Sequence, residues 1–112
     1  MRKLLKAKAT LKVTGAKKEY NGSITLCPEI MDKLGIIEYE HVEVNGRDKP
    51  HRISTYVLKG KLGQVELNGG AAQFFAVGDV VHLNFFHYWD PPSVDDILAG
   101  HDPKYYPKPV II

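Results

Sequence analysis

Only one segment of this chain, Pro28 to Leu34, has the spacing of a well-formed amphipathic helix. Most other apolar residues fall in short runs rich in β-branched and aromatic side chains, separated by glycine-containing turns. That pattern suggests a small barrel or sandwich, mainly β, with one or two short helices. Lys8 to Thr14 alternates, with Ala9, Leu11 and Val13 on one side. A polar stretch, Gly15 to Asn21, and an apolar one, Ser23 to Cys27, come next. Further strands are expected at His41–Val44, Arg52–Leu58, Gln64–Leu67 and Val80–Phe86, the last entered through a Gly78-Asp79 turn, with a polar loop over Asn45–Pro50. In the helix, Pro28 suits the first position, where its missing N–H costs nothing. Ile30, Met31 and Leu34 form an apolar stripe, and Gly35 supplies the stop. Ser93 followed by Asp96 reads as a capping box opening a helix through Leu98. The tail from Asp102 to Ile112 is rich in proline and tyrosine and is expected to pack as an extended segment.

A length of 112 residues suits one domain. The single cysteine, Cys27, excludes an internal disulfide and fits a reducing compartment. No apolar run is long enough to span a membrane, and the N-terminus lacks the apolar core of a signal peptide, so a cytoplasmic protein is expected. The net charge of +2 does not argue for a nucleic-acid partner. The charge is nevertheless uneven: Arg2, Lys3, Lys6, Lys8, Lys12, Lys17 and Lys18 all precede the first acidic residue, Glu19. Such an end is either a solvated basic face or an anion site that uses one of these lysines.

The five histidines raise the question of a metal. His82 and His87 are separated by an odd interval on an expected strand, which puts them on opposite faces. His41, His51 and His101 have no ligand-like spacing, and Cys27 lacks a partner. No metal site is expected. Neither a glycine-rich phosphate loop nor a G-x-S-x-G nucleophile elbow occurs.

Three short segments carry more information together than apart: Tyr20-Asn21-Gly22-Ser23, Arg52-Ile53-Ser54-Thr55-Tyr56 and Asn68-Gly69-Gly70-Ala71-Ala72. Singly they read as a turn, a strand and a hairpin turn. In this order and at these spacings, followed by Val77-Gly78-Asp79, they resemble the pyruvoyl-dependent aspartate 1-decarboxylases. The resemblance runs from about Leu4 to Phe86.

What this resemblance implies is specific. The fold is a small double-psi β-barrel, assembled as a homotetramer with active sites between subunits. The chain is made as an inactive precursor. The Ser23 hydroxyl attacks the carbonyl of Gly22, the amide becomes an ester, and elimination cuts the chain into a β chain, 1–22, and an α chain, 23–112. The new N-terminus becomes a pyruvoyl group, a covalent cofactor derived from Ser23, which takes up the substrate amine as a Schiff base and accepts the electrons left by carbon dioxide. The family converts L-aspartate to β-alanine, a precursor of pantothenate. By the same resemblance Arg52 binds the substrate carboxylate, Tyr56 donates a proton, and Thr55 or Asn68 steadies the oxyanion of self-cleavage. Thr55, Gly69, Gly70 and Ala71 line the substrate site, with Tyr20 in support. The residue types suit these tasks: glycine tolerates a strained backbone, and a guanidinium grips a carboxylate in bidentate fashion. Strict alternation puts Arg52 and Tyr56 on one strand face and Thr55 on the other, so a bulge, a strand end or a subunit boundary is expected there.

The chain departs from the family pattern in two places. Lys8 takes the place of the lysine near the substrate only if one residue is deleted, with Lys6 a weaker candidate. The family's histidine just after it is missing, with Ala9 or Thr10 in its place. A tryptophan common in mid-chain is replaced near Asn45. Another acidic substrate, such as glutamate, is therefore an alternative. So is a maturation helper, a relative that never cleaves, or a non-catalytic barrel that binds nucleic acid through its basic end.

Overall fold

A computed structural model describes residues 1–19, 21–102 and 106–112. The strands are β1 (Arg2–Lys12), β2 (Gly15–Lys17), β3 (Ser23–Leu26), β4 (His41–Gly46), β5 (Arg52–Lys59), β6 (Val65–Asn68), β7 (Val80–Trp89) and β8 (Val110–Ile111). Helix α1 (Pro28–Leu34) follows β3, a 3-10 turn (Gly69–Gln73) follows β6, and α2 (Val94–Leu98) follows β7. All eight strands lie in one mixed sheet in the order β2-β6-β3-β5-β4-β7-β1-β8. The β2–β6, β3–β5 and β1–β8 pairs are parallel and the others antiparallel.

β1 and β2 stand far apart in this order yet follow one another in the chain, so the sheet must curl. The link between them is held on both sides. Val13 N–H donates to the Asp79 carbonyl, Gly78 N–H donates to the Val13 carbonyl, and Thr14 N–H donates to the Val65 carbonyl, each at 2.8 Å. The curl encloses a core of Ala7, Ala9, Ile24, Leu26, Val42, Val44, Val57, Leu67, Val81, Leu83 and Phe85, all fully buried, with Met31 and Leu34 of α1 packed into it. The alternation of these residues with outward-facing polar ones defines the face that matters below.

The mainly β expectation holds, as do α1 with its left-handed Gly35 stop (φ 67°) and the Ser93–Asp96 capping box. β1 begins well before the alternating stretch. It pairs with β7 from Arg2 opposite Trp89 to Lys12 opposite Val80, with one register shift between Leu5 and Ala7. The extra residue, Lys6, breaks the two-residue period, which is why the pattern is invisible before Lys8. β2 lies within the polar stretch because a short strand paired through its backbone needs no apolar period. Asn68-Gly69 is not a hairpin turn: Asn68 ends β6, and Gly69, at φ 64°, opens the 3-10 turn. In the tail, Val110 and Ile111 pair with Ala7 and Lys8. No helix among the described residues is long and apolar enough to cross a membrane.

Candidate active site

β3 is buried along its whole length because it runs between β5 and β6. Ile24 and Leu26 face the core. Ser23 and Thr25 face the other way and are still buried, at 1% and 9% exposure. Their hydroxyls are satisfied by one side chain. Asn68 faces Ser23 across the β3–β6 ladder, and its Nδ2 donates to Ser23 Oγ at 2.9 Å and to Thr25 Oγ1 at 3.0 Å. Both amide hydrogens are thereby used, and the orientation of the amide is fixed. The Ser23 hydroxyl in turn donates to the Asn21 carbonyl at 3.3 Å. Nothing in the sequence marks Thr25; only the cross-strand diagonal reveals it.

Burial changes abruptly at the bond before Ser23, since Gly22 is exposed. Gly22 does not occupy the left-handed region, and a Cβ placed on it would meet nothing within 4 Å. Neither its φ nor a steric clash therefore requires glycine at this position within the chain. Gly69, by contrast, has the positive φ that favours glycine, while Gly70 is exposed with open space around it. Gly69 and Ala71 are buried beneath the 3-10 turn that begins directly after Asn68. Tyr20 lies outside the described residues.

β5 brings a second group to the same neighbourhood. Ile24 pairs with Val57 in parallel register. Carried back one and two steps, this register sets Ser23 level with Tyr56, on one face, and Gly22 level with Thr55. No bulge occurs between Arg52 and Tyr56, whose pairing with β4 is unbroken from Asn45–Arg52 to His41–Tyr56. β5 therefore shows neither a bulge nor a strand end at Thr55; its pairing with β3 starts two residues further on, at Ile24–Val57. Tyr56 also packs against Tyr39, with ring centroids 6.3 Å apart. Tyr39 is the one non-glycine residue with positive φ (68°) among those described. A tyrosine in that region carries backbone strain of about 1–3 kcal/mol, and the sequence gives no sign of it.

Arg52 and Lys8 stand elsewhere. Arg52 is four residues from Tyr56 along an extended strand, about 13 Å. It belongs to the outward face of the β1-β7-β4-β5 region. The registers of these strands align Lys8, Asn84, Glu43 and Ser54 in one transverse row, and Thr10, His82, Asn45 and Arg52 in the next. Arg52 Nε donates to Asn45 Oδ1 at 3.1 Å and lies 3.8 Å from Glu43 Oε1, leaving the terminal guanidinium nitrogens without partners among the described residues. Lys8 Nζ has no side-chain partner among those residues either. Lys6, the bulge residue, is held by Glu40 at 2.9 Å. The candidate residues therefore cluster at two places along the sheet: Ser23, Asn68, Tyr56, Thr55 and the Gly69–Ala71 turn near the start of β3, and Lys8 with Arg52 on the β1-β7-β4-β5 region, Arg52 sharing the outward face of Tyr56.

Comparison with known proteins places these features in context. The family described as aspartate decarboxylase matches residues 1–103. The aspartate 1-decarboxylase of Pyrobaculum islandicum is 46% identical over 79 residues, 70% of this chain and 66% of that one. That of Exiguobacterium sibiricum is 40% identical over 95 residues, 83% and 72% of the two chains. That of Bdellovibrio bacteriovorus is 42% identical over 69 residues, 62% and 56% of the two chains. The chain thus spans a little over half the length of several curated relatives it matches. Among solved structures, the rationally designed protein apDPBB_sym_79, a double-psi β-barrel, aligns with a TM-score of 0.55 at 21% identity, covering 70% of this chain and 98% of that one. The fold is therefore of the double-psi barrel kind.

Proposed function

We propose, from the fact that this chain belongs to the aspartate decarboxylase family, that it is a self-processing decarboxylase that turns L-aspartate into β-alanine and carbon dioxide. The observation that carries this reading is the single hydrogen bond from Asn68 to Ser23 Oγ at the edge between an exposed glycine and a buried serine. A hydroxyl held beside its neighbour's carbonyl gains an effective concentration that removes roughly 7–11 kcal/mol of barrier. When the resulting ester eliminates, Ser23 Oγ leaves Cβ as part of the Gly22 carboxylate. A fixed amide donor already aimed at that oxygen stabilises the charge developing there. Thr25 holds the amide in place by taking its second hydrogen.

Residue 23 would then head the α chain, 23–112, as a pyruvoyl group, beside Asn68 and Thr25 and close to the start of the 3-10 turn. Once formed, that group supplies an electron-accepting carbonyl for the amine of the substrate. Tyr56, which the β3–β5 register sets level with residue 23, carries the hydroxyl that would donate the proton. Gly69, Gly70 and Ala71 would contribute backbone N–H groups, of which Gly70 is exposed and the other two buried.

Lys8 and Arg52 supply positive charge for the substrate carboxylates. Since Arg52 is a long way along β5 from residue 23, the site would be completed by a second copy that brings its Lys8 and Arg52 region against the start of β3. The assembly is accordingly a homo-oligomer, a tetramer in the family's manner. The buried, unpaired thiol of Cys27 accords with a cytoplasmic setting. The test is turnover by purified, matured protein, with L-glutamate as comparison. Release of β-alanine from aspartate supports the proposal; preference for glutamate moves the substrate assignment, and no turnover of either rejects it.

A further inference from the structure

Thr10, His82, Asn45 and Arg52 belong to one transverse row, with His82 and Asn45 between Thr10 and Arg52. Thr10 and Asn45 also lie in the two stretches where the chain departs from the family pattern. That row is hydrogen-bonded at both ends: Thr10 Oγ1 lies 2.9 Å from His82 Nδ1, and Asn45 Oδ1 accepts from Arg52 Nε at 3.1 Å. All four side chains leave the sheet on its outward side, the side opposite Val81, Leu83 and Val44. His82 is half-buried, and among the described residues its Nε2 makes no hydrogen bond.

We propose that His82 is a substrate-binding, specificity-setting residue, whose imidazole meets the same carboxylate-bearing end of an acidic substrate as Arg52. The inference rests on the reading that this outward face receives the substrate. In the tautomer that accepts the Thr10 hydroxyl at Nδ1, the ring carries its hydrogen on Nε2 and presents it as a donor. A carboxylate is the natural acceptor beside a guanidinium and the Lys8 ammonium one row away. Glu43, in the Lys8 row, is occupied by Asn45 Nδ2 at 3.0 Å, which draws it back from the ligand position. The purely structural role open to His82, a cross-strand pair with Thr10, would stabilise the sheet without touching the ligand.

These roles separate in kinetics and in binding. In the matured enzyme His82→Ala raises KM for aspartate about tenfold, the loss of one hydrogen bond to a charged group, while kcat stays within about twofold. His82→Gln, which keeps a donor near the Nε2 position, recovers most of the loss. Self-cleavage of both variants proceeds as in the unaltered chain and reports an intact fold. Equal KM in His82→Ala and the unaltered enzyme overturns the inference, as does a fall in kcat with KM unchanged. If the unaltered protein decarboxylates neither aspartate nor glutamate, NMR titration with succinate decides the matter separately. A shift of the His82 ring signals that Arg52→Ala weakens supports the inference even though the proposed activity fails. Ring signals that stay fixed at saturating succinate reject it.

Discussion

Asn68 Nδ2 sits 2.9 Å from Ser23 Oγ, and the same two residues face each other across the β3–β6 ladder. The backbone register therefore fixes the contact beside the Gly22–Ser23 bond, and a loop need not find it. Asn68→Ala removes the donor from two buried hydroxyls. It should cost about 1–3 kcal/mol of stability and slow scission about a hundredfold or more. Denaturant melts and the time course of cleavage measure the two effects separately.

Thr25→Val leaves the Ser23 contact in place but frees the second amide hydrogen of Asn68 inside the protein. Scission should slow by less than in Asn68→Ala, and stability should fall by about 1–2 kcal/mol. Equal defects in the two variants would mean that Thr25 does more than orient the amide.

Tyr56→Phe should leave self-cleavage intact and impair decarboxylation, since the role proposed for the hydroxyl comes only after the cut. Tyr39→Asn offers a related check from its unusual backbone. Asparagine accepts positive φ more readily than tyrosine, so relief of strain and loss of the ring contact should nearly cancel in stability, within about 1 kcal/mol. Turnover should fall because Tyr56 loses the ring that backs it.

Acid should weaken the fold through carboxyls at the turns. Lys49, 2.6 Å away, and the Ala76 N–H hold the Asp79 carboxyl below its ordinary range, and the Ser93 backbone and hydroxyl do the same for Asp96. A carboxyl whose pKa is lower folded than unfolded contributes stability above its unfolded pKa and loses it as pH falls through the folded one. Melting temperature should therefore drop as pH falls below the ordinary carboxylate range. Asp79→Asn should flatten part of that slope, as thermal melts across pH would register.

Much of this was legible in the chain itself. Helix α1, its glycine stop, the capping box and most inner strands follow from local period and cap chemistry, which act over a few residues. The early start of β1 was hidden because Lys6, an inserted residue, resets the alternation. β2 was hidden because its pairing is carried by the backbone. At the site, the family motifs brought out Ser23, Arg52, Tyr56 and Asn68, but periodicity could not show that Arg52 and Ser23 sit apart within one chain. The contacts of Thr25, Tyr39 and His82 were out of reach for a further reason: each is made to a partner on another strand or loop, at a register that local pattern does not encode.

The split between the two groups of residues makes a further prediction. Mixing Ser23→Ala chains with Arg52→Ala chains during assembly should restore part of the activity that each lacks alone, because some interfaces then pair an intact Ser23 face with an intact Arg52 face. Mixtures as inactive as their parents would place both groups in one chain's site.

The most direct test is the mass spectrum of the purified full-length protein after prolonged warm incubation. The account predicts two fragments, residues 1–22 and 23–112, the larger with a blocked N-terminus that reacts with a carbonyl reagent such as phenylhydrazine. It also predicts an intact, unreactive chain for Ser23→Ala. An unaltered protein that stays whole and takes up no reagent, or one cut at a different bond, would contradict it.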